Sequence, residues 1–171
     1  MTAPGSDDAL ARFNDAPQAG AAEQAFGWLG APAFAMVLTA GRPYASVGAL
    51  VTRAAELAGA LSWRHVSAAL EQHPRIGDRV EGSSASAEAS RREQRGMADA
   101  DGEVRAAIAE GNRAYEERFG HVFLIRAAGR SPEEIRRELE RRLGSTPEAE
   151  RAEVQAQLVE ITALRIREAM R

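Results

Sequence analysis

Three groups of polar residues in this chain sit where a helical pattern calls for hydrophobes, and each could do chemistry. Val66, Leu70 and His73 follow one another at +4 and +3, so His73 continues an apolar stripe near a helix end. Pro74 comes next and biases the histidine out of the helical region. An imidazole in that place is either a satisfied core residue or an acid/base working near neutral pH. Ser90, Glu93, Gln94 and Met97 fall at 0, +3, +4 and +7, on one helix face. Arg91, Arg92 and Arg95 point elsewhere, so that strip is free of competing charge, and it is either solvated or turned to a ligand. Val154, Leu158 and Ile161 form a third stripe whose next member is Arg165. A guanidinium aimed at the core needs a partner, because burying it alone is costly. A core carboxylate, a stem bent outward at the helix end, or a bidentately clamped anion would each answer that need.

Composition narrows the chemistry further. The chain has 171 residues and no cysteine, and its 22 basic residues are all arginine. Disulfides, thiolate metal sites and cysteine nucleophiles are thereby excluded. So are Schiff-base chemistry, covalent attachment of pyridoxal phosphate and the lysine of a P-loop. The three histidines, His65, His73 and His121, show no HExxH spacing, so no metal is expected. There is no G-x-S-x-G elbow and no G-x-G-x-x-G after a strand. Net charge is −3 and the arginines are interspersed with glutamates, so no nucleic-acid partner is expected. No apolar run approaches the ~18 residues of a membrane span. Residues 1–8 lack a basic region followed by an apolar one, which argues against a secretory signal and for a cytoplasmic protein.

The elements that must position these groups read as nearly all helix. Ala, Glu, Arg and Leu dominate, while β-branched and aromatic residues are sparse. Residues 1–8 read as a flexible tail, and residues 9–171 as a single domain, a compact all-α bundle of about eight helices. Helices are expected near 8–14 and 22–29, from Pro32 to Gly41, from Ser46 to Leu61 and from Ser62 to Pro74. The stretch 77–85 is rich in Gly and Ser and reads as a loop. Ser86 and Asp99 are expected to open the next two helices, the second closing at Gly120. Val122 to Arg126 alone looks extended and apolar. Ser131-Pro132-Glu133-Glu134 has the form of a capping box with proline at the first helical position. Thr146-Pro147 repeats the cap and proline before the last helix. Tyr115 and Phe119 read as core, and Gly111, in mid-helix, as a point of close packing against another backbone.

Taken together, His73-Pro74-Arg75-Ile76-Gly77, Ser90-Arg91-Arg92-Glu93-Gln94 and Asn112 through Gly120, with Phe123 behind them and Leu164-Arg165 near the end, resemble one known family. It is the 2-oxo-4-hydroxy-4-carboxy-5-ureidoimidazoline (OHCU) decarboxylase family. The resemblance is good over residues 60–168 and poor over the first 60, where Leu38 to Gly41 stand in place of an expected tryptophan. It implies an all-helical, commonly homodimeric, cofactor-free carboxy-lyase of urate breakdown that gives (S)-allantoin and CO2.

The resemblance also implies roles. His73 is the catalytic acid/base, with Glu93 orienting it or holding the ureido and hydroxyl groups. Pro74, Ser90, Arg91, Arg92 and Gln94 contact the substrate, as do Phe123, Leu124, Ile125, Arg126 and Ala127. Arg165 neutralises the substrate's charge. The substrate carries its own electron sink, a ring carbon–nitrogen double bond beside the carbon that loses CO2, so neither metal nor organic cofactor is required. The competing expectations are a non-catalytic helical binding module and a lyase acting on a related ureido ring acid.

Overall fold

Side-chain caps set several of the helix starts. Ser46 Oγ accepts from Ala49 N at 3.1 Å, Ser84 Oγ from Ala87 N at 3.1 Å, and Asp101 Oδ1 from Val104 N at 2.8 Å. At Ser131 the expected capping box is complete: its hydroxyl accepts from Glu134 N at 3.2 Å, and the Glu134 carboxylate accepts from Ser131 N at 2.7 Å. Such caps each contribute about 1 kcal/mol.

The structure, a computed structural model, describes residues 6–171, and among them it has nine α-helices and no strand. These are α1 Ser6–Asp15, α2 Gln18–Leu29, α3 Pro32–Ala40, α4 Val47–Gly59 and α5 Trp63–Leu70, followed by α6 Ala85–Glu93, α7 Gly102–Phe119, α8 Pro132–Leu143 and α9 Pro147–Ala169. A 3₁₀ turn, Arg95–Asp99, joins α6 to α7. The all-helical class is as expected, and among the described residues no helix is long and apolar enough to cross a membrane.

Some boundaries differ from the sequence reading. Helix α1 begins inside the stretch read as a tail, and residues 1–5 of that stretch lie outside the described residues. Ser84, not Ser86, caps α6, and Asp101, not Asp99, caps α7, because Asp99 is taken up by the 3₁₀ turn. Helix α5 stops at Leu70, so His73 sits in the turn beyond the helix, its N–H on Leu70 O at 3.0 Å.

The chain groups into two compact units. Met1–Ala69 and Leu158–Arg171 form one, in which α2 packs on α3, α3 on α4 and α1 on α4. Its polar hub is Arg42, whose guanidinium donates to Phe13 O (2.7 Å), Ala16 O (2.8 Å), Thr39 O (3.0 Å) and Gln18 Oε1 (2.9 Å).

Leu70–Gln157 form the other unit, where α7 lies along α8. Ile108 and Tyr115 from α7 meet Ile135 and Leu139 from α8, and Phe123 and Ile125 from the intervening segment complete that core. Gly111 allows the close approach of the two helices. A Cβ there would lie 2.6 Å from Leu139 Cδ2, so the close packing expected at this glycine is against a side chain rather than a backbone.

Candidate active site

The loop His73-Pro74-Arg75-Ile76-Gly77 has no helix or strand of its own to hold it. Instead the two other motifs hold it, residue by residue. Gln94, at the C-terminal end of α6, accepts from Gly77 N on its Oε1 at 2.9 Å, and its Nε2 reaches Arg75 O at 3.5 Å. Asn112, buried on α7, donates from Nδ2 to Ile76 O at 2.9 Å. Glu116, one turn further on, takes the Arg75 guanidinium in a two-pronged pair, with Nε to Oε1 at 2.6 Å and Nη2 to Oε2 at 2.7 Å. Gly77 adopts a left-handed φ of +85°, which favours glycine there. Ile76 turns into the core below. The loop that carries His73 is thus tied at three successive residues by fixed side chains. His73 itself is buried, at 7% exposure, and Pro74 is half-buried.

The strip on α6 is neither plain core nor plain surface. Ser90 is buried, Glu93 and Gln94 are half-buried, and Arg91 and Arg92 are exposed. Arg91 donates to Gly82 O at 2.7 Å and Val80 O at 3.3 Å, so it holds the loop that precedes the helix. Met97 does not share the strip as the 3.6-residue period required. The helix stops at Glu93, and the tighter winding of the 3₁₀ turn carries Met97 into the core beside Ile108 instead.

Residues 122–127 belong to no helix or sheet. A buried backbone outside helix and sheet must find other partners for its polar groups. Here Arg142 Nη1 donates to Leu124 O at 2.7 Å, and Arg126 N donates to Gln157 Oε1 at 2.9 Å. Arg126 O receives Arg130 Nε at 3.1 Å. Phe123, Leu124, Ile125 and Ala127 are buried, and Arg126 is half-buried.

Arg142, fully buried on α8, was not singled out in the sequence. Its Nε and Nη2 donate to Glu150 Oε1 at 2.9 and 2.5 Å, and the Tyr115 hydroxyl donates to that same oxygen. Burial, then the bond to Glu150, drives the Tyr115 hydroxyl pKa far above its ordinary value. The signal was present: Ile135, Leu139 and Arg142 run at +4 and +3, and Glu150 and Val154 at +4, the rule that marked Arg165.

A pocket of about 1030 Å³ opens beside this region, lined by residues 77–82, Arg91, Gln94, Arg95, Met97, Ala98 and Arg105. Of the residues expected to touch a ligand it includes only Arg91 and Gln94. His73, Ser90, Glu93 and the 123–127 segment are absent from its lining. Arg165 lies in the unit formed by the chain's two ends. It is buried at 4% exposure, as the stripe required, and donates from Nη1 to Gly27 O at 3.4 Å.

Comparison with known proteins follows the same lines. A family model described as OHCU decarboxylase matches residues 14–167. A search of curated proteins gave no match. Among solved structures, the chain is similar to a crystal structure of OHCU decarboxylase in the presence of (S)-allantoin, with a TM-score of 0.73 and 21% identity. That likeness covers 85% of this chain and 96% of the other. It is also similar to a crystal structure of (S)-allantoin synthase, with a TM-score of 0.69 and 16% identity over 97% of this chain. The match takes up 54% of the synthase, so the chain spans about half of that protein's length. At these identities the two structures speak for the fold.

Proposed function

The chain belongs to the OHCU decarboxylase family, and on that premise we propose that it converts OHCU to (S)-allantoin and CO2 in urate breakdown, with His73 as the acid/base. The observation that carries this reading is the family match over residues 14–167. The geometry supports it, because the motif residues Gln94, Asn112 and Glu116 all tie down the loop on which His73 stands. Proton transfer needs a group held within hydrogen-bond reach of the reacting atom, and the pinning of the neighbouring Arg75, Ile76 and Gly77 supports that role for His73.

In the proposed reaction the bond from the ring carbon to the carboxylate breaks. Its electron pair moves into the adjacent ring carbon–nitrogen double bond, and CO2 leaves. The nitrogen of that double bond takes up a proton, the hydroxyl gives up its proton as its carbon becomes a carbonyl, and a proton is delivered to one face of the neighbouring, ureido-bearing ring carbon, which fixes the hand of the product. His73 handles the hydroxyl proton and that delivery, and the half-buried Glu93 orients it. Ser90 and the backbone of residues 123–127 read the edges of the ring. Gln94 acts mainly through the loop, since its amide oxygen is engaged by Gly77 N. Assembly as a homodimer, supported by the sequence resemblance, and a place in the cytoplasm, supported by the lack of a secretory-signal pattern in residues 1–8, belong to the same proposal.

The test is to generate OHCU in situ from urate with urate oxidase and 5-hydroxyisourate hydrolase, add this protein, and follow the circular dichroism of the product. Rapid growth of an (S)-allantoin signal is expected, against slow racemic decay in the blank. A rate equal to the blank would overturn the proposal and shift weight to a different ring acid or to ligand binding without turnover.

A further inference from the structure

We infer that Arg142, Glu150 and Tyr115 are positioning residues, which set the shape in which residues 123–127 meet the substrate. The inference rests on the proposed function for the substrate contact, but its physical content is independent of it. Three helices contribute, Tyr115 from α7, Arg142 from α8 and Glu150 from α9; Tyr115 and Arg142 meet at Glu150 Oε1, and Arg142 alone reaches the backbone carbonyl Leu124 O.

The arrangement makes poor sense as a source of stability alone. Arg142 and Glu150 are 0% and 1% exposed, so both charges have left water completely. Packed hydrophobes of similar volume generally stabilise a core as well as such a pair or better. What hydrophobes cannot do is donate to a carbonyl. Arg142 does so at 2.7 Å while its guanidinium carbon lies 4.5 Å from the centre of the Phe123 ring. One side chain thus fixes both the backbone at Leu124 and the ring of the residue before it.

Glu150 keeps that guanidinium aimed, through two bonds to one oxygen. The Tyr115 hydroxyl holds the same oxygen from the other side. Two residues further along, Gln157 takes Arg126 N, so the segment is held at alternate residues by long side chains where a sheet would have used a neighbouring strand.

Tyr115→Phe is the sharpest probe. It removes the hydroxyl but keeps the ring packed on Phe119 and Phe123, with centroids 4.7 and 5.3 Å away. Arg142→Met removes the clamp itself. The readouts are amide hydrogen exchange across the unliganded chain and steady-state kinetics with OHCU generated in situ.

Loss of one bond to a charged group should speed exchange at residues 123–127 about 10-fold in Tyr115→Phe, with α7 and α8 unchanged. The KM should rise roughly 5- to 10-fold, with kcat changing less than about 2-fold, because ground-state and transition-state contacts loosen together. Arg142→Met should exceed both effects, and if it fails to fold, Tyr115→Phe alone decides.

Exchange that is unchanged at 123–127, or raised evenly across the unit, would overturn the inference, as would an unmoved KM. If the wild-type chain fails to turn over OHCU while the segment still loosens in Tyr115→Phe, the functional reading falls and the positioning role stands.

Discussion

Replacing Gly111 with alanine should destabilise this protein, although the same change stabilises an ordinary helix. In a helix interior alanine is favoured over glycine by about 1 kcal/mol. Here the new Cβ would lie 2.6 Å from Leu139 Cδ2 and 3.1 Å from its Cγ. Carbon atoms rest about 3.5–4.0 Å apart, so the leucine must retreat by roughly 1 Å. It has little room to do so, since it is 1% exposed and packed among Ile108, Ile135 and Tyr115. Overpacking of this kind costs about 1–3 kcal/mol, which leaves a net loss of about 1 kcal/mol for Gly111→Ala.

A double-mutant cycle isolates the cause. Leu139→Ala alone should cost about 2–5 kcal/mol through the cavity it leaves. In that background the overlap is gone, and Gly111→Ala should regain its ordinary helical benefit of about 1 kcal/mol. The sign therefore reverses, with a coupling of about 1–3 kcal/mol. Urea unfolding followed by far-UV circular dichroism measures all four proteins, provided that the m-values agree. If Gly111→Ala is stabilising in the wild-type background, or equally harmful in both, the close approach of α7 to α8 at this point is not what the glycine serves.

Other expectations follow from the same contacts. His73→Asn should lower turnover by about 10²- to 10⁴-fold in the coupled allantoin assay while leaving the urea midpoint close to wild type; near-normal turnover would remove His73 from the mechanism. Ser131→Ala should cost about 1 kcal/mol near neutral pH. The backbone bond at Ser131 holds the Glu134 pKa below its ordinary 4.5, so that part of the capping box is present above 4.5 and is lost as pH falls through the lower folded value. The loss of stability caused by Glu134→Ala should accordingly shrink in acid, as measured by thermal unfolding across pH 2–7. The sequence has only two tyrosines, Tyr44 and Tyr115, and burial raises both pKa values in the folded chain. Above about pH 10 the unfolded chain releases protons that the folded chain keeps, so stability should fall with rising pH there. Phenolate absorbance should then appear together with unfolding rather than before it.

Much of the fold was legible because helix starts and buried stripes are local facts. The Ser131 capping box, the closing Gly120 and the burial of Arg165 all depend on residues within a turn or two of each other. The failures were also local in origin. The stripe through Ser90 and Met97 assumed one helical period across a break, and the winding changes at Gln94.

What the sequence concealed is the identity of partners. Arg142 obeys the same +4/+3 rule that flagged Arg165, and so could have been marked as buried. That it meets Glu150, eight residues on across a helix–helix turn, and Leu124 O, eighteen residues back, depends on how α8 and α9 come together. Tyr115 reads as core and is core, yet its hydroxyl finds an acceptor thirty-five residues away.

The same distinction sorts the motif residues. Gln94 and Arg91, expected from the family resemblance to touch the substrate, use hydrogen bonds on Gly77 and Gly82 of their own chain. A polar residue in a motif can therefore be required because it builds the site rather than because it enters it. For such a residue the substitution that matters is one that keeps its hydrogen bond and changes its charge or shape. Gln94→Glu offers that comparison, since a carboxylate still accepts from Gly77 N but loses the amide donor that faces Arg75 O. Activity retained in Gln94→Glu and lost in Gln94→Leu would place Gln94 with the loop. Activity lost in both would return it to the substrate.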